Sequence, residues 1–257
     1  MAERVRVPAS PRTAVVWSVL EGEVQRRAAA SPGGAGLSAL DVGGGSGVFA
    51  VPLASMGLAV TVVDVSADAL ATLRRRAEEA GVADRVTAVQ GDADHLADTA
   101  PPGAYDLVLC HSLLEVVDDA AATTGTIAAA LRPGGCASIL VANRAATVLA
   151  RALGGHLADA HRALTDPAGR YADTDGLRRR LDPASLTALI QSAGLVAEQL
   201  HGVGVVADLI PGALLESASG SAESLRELEL IAAALPPYRD IATQLHALAR
   251  RPALGSG

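Results

Sequence analysis

The feature that most constrains the fold is a glycine-rich segment at residues 41–47, with the sequence DVGGGSG. It follows a short apolar run at residues 37–42 and precedes residues 48–56, whose apolar side chains recur at helical spacing. Glycines at a strand-to-helix junction let the main chain turn tightly and approach a ligand closely. The helix that begins there also offers unpaired N–H groups in its first turn. This segment therefore predicts a strand–turn–helix unit that binds a ligand.

Predicted strands and helices alternate along the rest of the chain. The predicted strands are residues 37–42, 59–64, 85–90, 105–110, 136–141, 196–206 and 242–250, and the predicted helices are residues 12–30, 48–56, 67–80, 118–131, 184–193 and 222–234. Most of these strands are apolar throughout rather than alternately polar and apolar, which indicates burial on both faces. The pattern predicts an α/β fold with a mostly parallel sheet that helices cover on both sides.

The 257 residues are predicted to form a single domain. Its parts are an N-terminal helix at residues 12–30 and a ligand-binding core at residues 37–142. Residues 143–182 and 207–237 fall outside the simple alternation of strands and helices. We expect these two insertions near the strand ends, where a substrate is normally selected.

An acidic residue stands at the place where a ribose would bind. Asp64 ends the second predicted strand, about 20 residues after Gly43, and an acid at that spacing can accept both ribose hydroxyls. Its alternative role is to cap the next helix. The glycine segment and Asp64 together do not show whether the ligand is S-adenosylmethionine or NAD. However, the glycines fit G-x-G-x-G, whereas the dinucleotide pattern requires a glycine at the position of Val48.

Two further motifs favour the methyl donor. Asp92, in the sequence Gly-Asp-Ala, follows the third predicted strand and can accept the amino group of an adenine. Residues 131–135, LRPGG, are predicted to form a turn before the fifth strand. In their order and spacing, these motifs resemble those of class I S-adenosylmethionine-dependent methyltransferases over residues 37–141.

That resemblance implies a Rossmann-like fold with a seven-stranded, mostly parallel sheet and helices on both faces. It also implies S-adenosyl-L-methionine as the cofactor. The residues then expected to bind it are Arg12, Asp41, Gly43, Gly44, Gly45, Gly47, Asp64, Val65, Asp92, Ala93 and His111.

A closer resemblance extends over most of the chain. The sequence is similar to bacterial tRNA 5-carboxymethoxyuridine methyltransferases, which esterify the carboxylate of a modified wobble uridine. The similar segments are residues 41–47, 106–119, 131–143, 180–183, 202–205, 225–230 and 245–250. Arg12 matches a family arginine that contacts the cofactor, although it can also be read as a solvated arginine at a helix start.

The sequence departs from this family at two places. The family has a lysine-rich tract before residues 181–183, whereas this chain has only Arg178, Arg179 and Arg180 there. The family has an aromatic residue at the position of Ala142. These arginines are candidates for contacts with tRNA phosphates, which would make binding salt-dependent.

The residues expected to hold the methyl acceptor are Asn143, Arg144 and Arg179. A carboxylate acceptor is already an anion and needs no general base, but a guanidinium can hold it with two hydrogen bonds. Arg144 is the first candidate and Arg179 the second, and either can instead be a solvated arginine. His111 directly follows the fourth predicted strand, and in this superfamily the end of that strand faces the reacting methyl group. No residue is assigned firmly as catalytic.

Other residues near these motifs receive structural interpretations. His111 can contact the cofactor through its main chain or its ring, or it can be an ordinary loop histidine. Glu115 is expected to brace the local helix. Residues 74–76, three consecutive arginines, are expected on the solvent face of the helix that follows Asp64.

Four functions remain open from the sequence. The first is methylation of tRNA wobble uridine, and the second is methylation of a small-molecule acceptor with the same cofactor site. The third is a non-catalytic module that binds the cofactor, and the fourth and remotest is a dehydrogenase. Salt-sensitive tRNA binding separates the first from the second.

Composition narrows the remaining classes. The net charge of −7 and the pI of about 5.3 argue against a general nucleic-acid binder, without excluding a local basic patch. Cys110 and Cys136 have no metal-ligand spacing and are expected to be buried thiols of a cytoplasmic protein. No apolar run reaches the length of about 20 residues needed to span a membrane. We expect neither a metal nor a membrane partner, and the oligomeric state stays open.

Overall fold

The computed structural model describes residues 10–30, 36–210 and 221–253. Residues 31–35, which follow the first predicted helix, and part of the insertion predicted at residues 207–237 lie outside the described residues.

Seven strands of the described residues form one sheet. They are β1 (Ser38–Val42), β2 (Ala59–Asp64), β3 (Val86–Gln90), β4 (Tyr105–His111), β5 (Leu131–Ala142), β6 (Val196–Val203) and β7 (Gln244–Arg250). Their spatial order is β3-β2-β1-β4-β5-β7-β6, and β7 alone runs antiparallel to its neighbours. The predicted seven-stranded, mostly parallel sheet is confirmed.

Helices cover both faces of this sheet. They are α1 (Ala14–Ala30), α2 (Ala50–Ser55), α3 (Ala67–Glu79), α4 (Ala120–Ala130), α5 (Arg144–Leu153), α6 (Leu157–Thr165), α7 (Pro183–Ser192), α8 (Ser221–Ala232) and α9 (Tyr238–Ile241). On one face, α1, α2 and α3 bury Trp17, Leu53 and Leu73, and on the other, α4 and α7 bury Ile127 and Leu186. Among the described helices, none is long and apolar enough to cross a membrane.

Local signals in the sequence explain where several helices begin and end. The Ser66 side chain caps α3 by accepting a hydrogen bond from the N–H of Ala69 at 3.2 Å. Gly81 lies just beyond α3 with a φ of 69°, a left-handed conformation that glycine adopts at low cost. Asp182 caps α7 by accepting from the N–H of Ser185 at 2.7 Å, and Pro183 opens that helix.

The prediction that LRPGG forms a separate turn before β5 is wrong. The strand begins at Leu131, which pairs with Tyr105, and a register irregularity follows between Tyr105 and Leu107. The two glycines stay within the sheet because the chain after β7 pairs with them. Gly134 donates to the carbonyl of Arg251 at 3.0 Å, and Arg251 donates to the carbonyl of Gly135 at 2.9 Å.

The sixth strand is shorter than predicted. It ends at Val203, because Gly204 adopts a φ of 69° and turns the chain away from the sheet. The buried carboxylate of Glu229 in α8 then accepts hydrogen bonds from the N–H groups of Val205, Val206 and Ala207. This long-range contact replaces the strand pairing that the apolar sequence had suggested.

The first insertion folds as a helical hairpin followed by a loop. Helices α5 and α6 pack against each other, and Leu181 forms a parallel bridge with Asn143 at the end of β5. Within the loop, Arg180 and Asp175 form a buried ion pair with an N–O distance of 2.5 Å. The hairpin thus stands at the carboxyl end of the sheet, while its role in substrate selection stays a prediction.

The opposite end of the sheet, which we call the amino edge, is cross-linked by ionic contacts. The buried carboxylate of Glu23 in α1 accepts hydrogen bonds from Arg26 at 2.6 and 2.8 Å, Arg27 at 2.6 Å and Arg250 at 3.1 and 3.2 Å. Burial acts to raise the pKa of Glu23, but these hydrogen bonds and one from Cys136 outweigh it and lower the pKa to about 2. The network ties α1 to β5 and β7.

Both cysteines are free and buried, as predicted. Burial raises the pKa of Cys136 to about 12 and also raises the pKa of Cys110. A thiol in this state stays protonated and is a poor nucleophile.

Candidate functional site

A cavity of about 260 Å³ opens at the carboxyl ends of strands β1 to β4, which we call the carboxyl edge. Five residues predicted to bind the cofactor line it, namely Gly43, Asp64, Val65, Asp92 and Ala93. The structure thus brings the glycine segment, the strand-end acid and the Gly-Asp-Ala motif together around one space. In open α/β sheets, ligands bind in a crevice at this edge.

Asp64 is held in place by the main chain of the glycine segment. The N–H of Gly45 donates to Oδ2 at 2.9 Å, and the N–H of Ser66 donates to Oδ1 at 2.8 Å. An ionised carboxylate has about four acceptor positions, so about two remain for a ligand such as the two hydroxyls of a ribose. The alternative role as helix cap falls to Ser66 instead.

Gly44 and Gly45 each lack a side chain for a different structural reason. A Cβ on Gly44 would lie 2.5 Å from the carboxylate of Asp41, so this position packs the loop down onto β1. Gly45 has a φ of 53°, and the nearest atom to its ideal Cβ is Oδ2 of Asp64 at 3.8 Å. A side chain at Gly45 would therefore project toward Asp64, the residue predicted to accept the ribose hydroxyls.

Asp41 lies beneath the loop rather than on the cavity surface. Its side chain is buried, and Oδ2 has no hydrogen-bond partner within the described parts of the chain. Burial and the nearby charge of Asp64 raise the pKa of Asp41 to about 7. Its predicted contact with the cofactor stays a prediction.

Asp92 and an apolar wall form the other end of the cavity. Asp92 begins a short 3₁₀ turn and accepts from the N–H of Asp94 at 3.0 Å through Oδ1. Sequence reasoning missed Leu113, Val116 and Val117, which line the cavity after β4. The half-buried carboxylate of Asp64, the exposed carboxylate of Asp92 and this apolar wall suit the adenosine part of S-adenosylmethionine, so the residues present fit that cofactor.

Arg76 was also missed as a contributor to the site. The arginines at 74–76 are exposed, as predicted, but Arg76 donates to the carbonyl of Ser46 at 3.1 Å and to its hydroxyl at 2.9 Å. This contact braces the glycine segment from the side of α3. Its spacing from the glycines gives no signal that sequence patterns capture.

The end of β4 carries His111 and a strained serine. Ser112 has a φ of 53°, unusual for a residue with a side chain, and its hydroxyl lies 3.1 Å from Nε2 of Gln244. His111 contacts the edge of Phe49, with ring centroids 4.5 Å apart. Burial lowers the pKa of His111 to about 3, so its imidazole is neutral near pH 7.

The three predicted acceptor residues have different surroundings. Asn143 caps α5 and donates to the carbonyls of Asp240 and Ala242 at 2.9 and 2.7 Å. Arg144 donates to the carbonyl of Pro167 at 3.0 Å, and its Nε is buried without a partner among the described residues. Asn143 therefore holds the local chain, whereas Arg144 has donor capacity left.

The guanidinium of Arg179 is hydrogen-bonded to main-chain carbonyls. Its guanidinium donates to the carbonyls of Leu114 at 2.5 Å, Val117 at 2.8 Å and Asp118 at 2.9 Å. These bonds fasten the turn that carries the apolar wall of the cavity. They give Arg179 a positioning role, and its predicted contact with the acceptor stays untested.

Arg12 does not line the cavity. It pairs with Asp208, which follows β6, at an N–O distance of 2.6 Å, and its side chain is 69% exposed. This contact joins the chain before α1 to the segment after β6. The predicted contact of Arg12 with the cofactor stays a prediction.

Comparison with known proteins agrees with this geometry. Residues 39–135 match a family described as a methyltransferase domain. The chain is 29% identical to the tRNA 5-carboxymethoxyuridine methyltransferase of Escherichia coli, covering 94% of this chain and 88% of that protein. It is 33% identical to the ubiquinone biosynthesis O-methyltransferase of Thiobacillus denitrificans over 66% of this chain and 68% of that protein.

Solved structures share the fold. A S-adenosylmethionine-dependent methyltransferase from Mesorhizobium loti matches with a TM-score of 0.58 and 21% identity, covering 92% of this chain and 98% of that one. Magnesium protoporphyrin IX methyltransferase from Synechocystis, solved with bound S-adenosylhomocysteine, matches with a TM-score of 0.56 and 17% identity. The match covers 94% of this chain and 81% of that one.

These findings favour methyl transfer over the dehydrogenase and non-catalytic alternatives, and S-adenosylmethionine is the cofactor. The chain belongs to the class I S-adenosylmethionine-dependent methyltransferases.

Proposed function

We propose that the protein methylates a carboxylate oxygen, and that its acceptor is 5-carboxymethoxyuridine in tRNA. The observation that carries this proposal is the extent of the similarity to the Escherichia coli enzyme, which covers 94% of this chain. That extent reaches beyond the cofactor core at residues 39–135 and includes the α5–α6 hairpin. The segments expected to select the acceptor therefore share in the resemblance.

The chemistry asks little of the protein beyond positioning. When bound, S-adenosylmethionine supplies a methyl group that a carboxylate oxygen takes as the C–S bond breaks, which leaves a neutral thioether and a methyl ester. No proton is transferred, so the site needs no general base. Its tasks are to hold the acceptor in line and to exclude water.

Arg144 is the candidate that holds the acceptor carboxylate. It stands at the first residue of α5, directly after the end of β5, and its side chain is 18% exposed. Asp182 lies 3.8 Å from its guanidinium, too far for a strong hydrogen bond. Among the described residues, Nη1 has only this long contact, and Arg144 lines a neighbouring cavity, so Nη1 is the donor that a carboxylate can engage.

A second candidate, a small-molecule acceptor, is favoured by two observations. Arg178, Arg179 and Arg180, the candidates for tRNA phosphate contacts, are paired within the protein with Asp118, with main-chain carbonyls and with Asp175. In addition, a cavity of about 380 Å³ beside Arg144 is lined by the apolar side chains of Val148, Leu149, Leu164 and Ile241. An amphipathic acid would suit such a cavity.

The test is transfer of labelled methyl from S-adenosylmethionine to tRNA that carries unmethylated 5-carboxymethoxyuridine. We expect label in tRNA that mild alkali releases, because a methyl ester hydrolyses there whereas an ether or an N-methyl group does not. Incorporation that falls steeply with salt would support recognition of the tRNA backbone.

Transfer RNA without the carboxymethoxy group serves as the control. Equal labelling of both tRNA samples, or alkali-stable label, would contradict carboxylate methylation. No labelling of tRNA, together with alkali-labile labelling of an apolar carboxylic acid, would favour the small-molecule acceptor instead.

A further inference from the structure

The loop between α6 and α7, residues 166–182, contacts the surroundings of two different cavities. Its only strand contact is the bridge between Leu181 and Asn143 at the end of β5. No residue of this loop, all of which is described, lines the cofactor cavity. The loop nevertheless holds groups beside that cavity at one end and Arg144 at the other.

The first part of the α6–α7 loop holds the side chain of Arg144. The carbonyl of Pro167 accepts a hydrogen bond from Nη2 of Arg144 at 3.0 Å. Gly169 has a φ of 68°, and an ideal Cβ on it would lie 3.1 Å from Nε of Arg144. The main chain of the loop therefore lies directly against this side chain. A shift of residues 167–169 would move the guanidinium.

The last part of the loop holds the turn after β4, which carries the apolar wall of the cofactor cavity. The carbonyl of Glu115 accepts hydrogen bonds from the N–H groups of Arg178 and Arg179 at 2.9 and 3.3 Å. The guanidinium of Arg179 donates to three further carbonyls of the same turn. Val116 and Val117, which line the cavity, lie in this turn. The position of the wall therefore depends on the end of the loop.

A buried ion pair joins the two parts of the loop. Asp175 accepts hydrogen bonds from Nη1 of Arg180 at 2.5 Å and from Nη2 at 3.0 Å. The side chain of Asp175 is 1% exposed and that of Arg180 is 7% exposed. Arg180 also donates to the carbonyl of Ala168 at 2.7 Å through its main chain and to the carbonyl of Gly169 at 3.2 Å through Nη1. One arginine therefore holds the first part of the loop against the last.

The position of Arg180 in the chain makes both cavities depend on this pair. Arg180 directly follows Arg179, which holds the apolar wall, and it is hydrogen-bonded to the residues that lie against Arg144. Removing one partner of a buried ion pair leaves the other charge uncompensated, which is strongly destabilising. A local rearrangement that hydrates the remaining charge would then displace both parts of the loop.

We propose that Asp175 and Arg180 are positioning residues for both the cofactor and the methyl acceptor. Through Arg179 they set the apolar wall of the cofactor cavity, and through residues 167–169 they set the guanidinium of Arg144. The effect on the acceptor rests on the proposed function, in which Arg144 holds the acceptor. The effect on the cofactor is independent of the acceptor's identity.

Asp175→Asn tests the pair because it removes the charge and keeps the size of the side chain. We expect affinity for S-adenosylhomocysteine to fall about 10-fold by calorimetry, and kcat/KM for the acceptor to fall about 10-fold at saturating cofactor. Asp173→Asn is the matched control, since Asp173 lies in the same loop, is 87% exposed and pairs with Arg162 of α6. The control should change neither quantity.

Double-mutant cycles distinguish positioning from a general loss of stability. If the ion pair acts on the cofactor through Arg179, Asp175→Asn should weaken S-adenosylhomocysteine much less in an Arg179→Met protein than in the wild type. In the same way, it should lower kcat/KM for the acceptor much less in an Arg144→Ala protein. Equal effects in the wild-type and variant backgrounds would overturn the proposal.

Arg180→Lys is the milder variant for the case in which Asp175→Asn does not fold. Lysine keeps the buried charge but cannot form the two parallel hydrogen bonds of a guanidinium, so we expect a loss of about 5-fold in affinity for S-adenosylhomocysteine. Wild-type affinity in folded Arg180→Lys and Asp175→Asn proteins would show that the pair only stabilises the loop, and the proposal would fail. Reduced affinity in these variants, together with no tRNA methylation by the wild-type protein, would contradict the proposed acceptor and still support this role of the pair.

Discussion

The two edges of the sheet handle their polar groups in opposite ways. At the amino edge, Glu23 is surrounded by arginines, and Asp106 accepts hydrogen bonds from Ser38 and Arg132. At the carboxyl edge, Oδ2 of Asp41 and Nδ1 of His111 are buried and lack partners in the part of the chain that the structure describes. These polar side chains at the amino edge have hydrogen-bond partners within the protein, whereas those two atoms at the carboxyl edge have none among the described residues.

The difference separates stability from binding. A buried polar atom without a partner costs stability, so its persistence needs a reason. In the described ranges, no buried side-chain atom at the amino edge lacks a hydrogen-bond partner, and the charges there hold α1 against the sheet. Changes at the carboxyl edge should therefore alter ligand affinity, whereas changes at the amino edge should alter the free energy of unfolding.

Gly45→Val gives the largest expected effect and tests most directly whether the carboxyl edge binds the ligand. We expect no detectable binding of S-adenosylhomocysteine by calorimetry, because the added side chain projects toward Asp64 from a backbone with φ of 53°. Gly103→Val is the matched control, since Gly103 has a φ of 64° and no atoms near its ideal Cβ. A folded Gly45→Val protein with wild-type affinity would refute the loop assignment.

Asp64→Ala should weaken the binding of S-adenosylmethionine by about 100-fold or more. Two ribose hydroxyls would lose a charged acceptor, and each such bond is worth about 1.5 kcal/mol or more. Calorimetry would measure the loss, with Asp68→Ala, an exposed residue in the first turn of α3, as the control. Unchanged affinity in Asp64→Ala would remove Asp64 from the cofactor site.

Glu23→Gln probes the amino edge. We expect a loss of about 2 kcal/mol in the free energy of unfolding near pH 7, because Arg27 and Arg250 would keep their charges without their partner. Chemical denaturation would measure it, and cofactor affinity should not change. Glu79→Gln, in the exposed pair with Arg75, should change stability by less than about 0.5 kcal/mol.

The lowered pKa of Glu23 predicts that the free energy of unfolding depends on pH. The pKa of Glu23 is lowered from 4.5 to about 2 on folding, so its contribution is fully present above pH 4.5 and is lost as the pH falls toward 2. The stability difference between wild-type protein and Glu23→Gln should therefore shrink over that range. A difference that stays constant from pH 6 to the acid limit would contradict the ionic account.

Arg144→Ala should give the smallest of these effects, a decrease of about 10-fold in kcat/KM for the acceptor. Cofactor affinity should stay unchanged, because Arg144 lies beside a different cavity. Arg151→Ala, at the other end of α5, is the control on the same helix. Unchanged turnover in Arg144→Ala would show that this arginine does not hold the acceptor.

The contrast between the edges also explains what sequence reasoning could reach. The glycine segment, Asp64 and Asp92 act through main-chain turns at strand ends, which leave short local patterns in the sequence. The seven strands were likewise predictable from local apolar runs, with β2 matched at both ends. Here local chemistry and global fold point the same way.

What could not be predicted depends on contacts between distant segments. The extension of β5 to Leu131 requires pairing with Arg251, and the end of β6 requires Glu229 from α8. The occupation of Arg179 by carbonyls after β4 has the same origin. Sequence patterns carry no signal for such pairs, so predictions for the acceptor side were less specific.

The most direct test of the central claim is titration calorimetry of the wild-type protein with S-adenosylmethionine and S-adenosylhomocysteine, with NAD as the control. We predict saturable binding of both methyl-transfer ligands and none of NAD, with the affinity lost in Asp64→Ala and kept in Glu23→Gln. Absence of binding by the wild-type protein, or equal binding by both variants, would contradict the assignment of the carboxyl edge as the cofactor site.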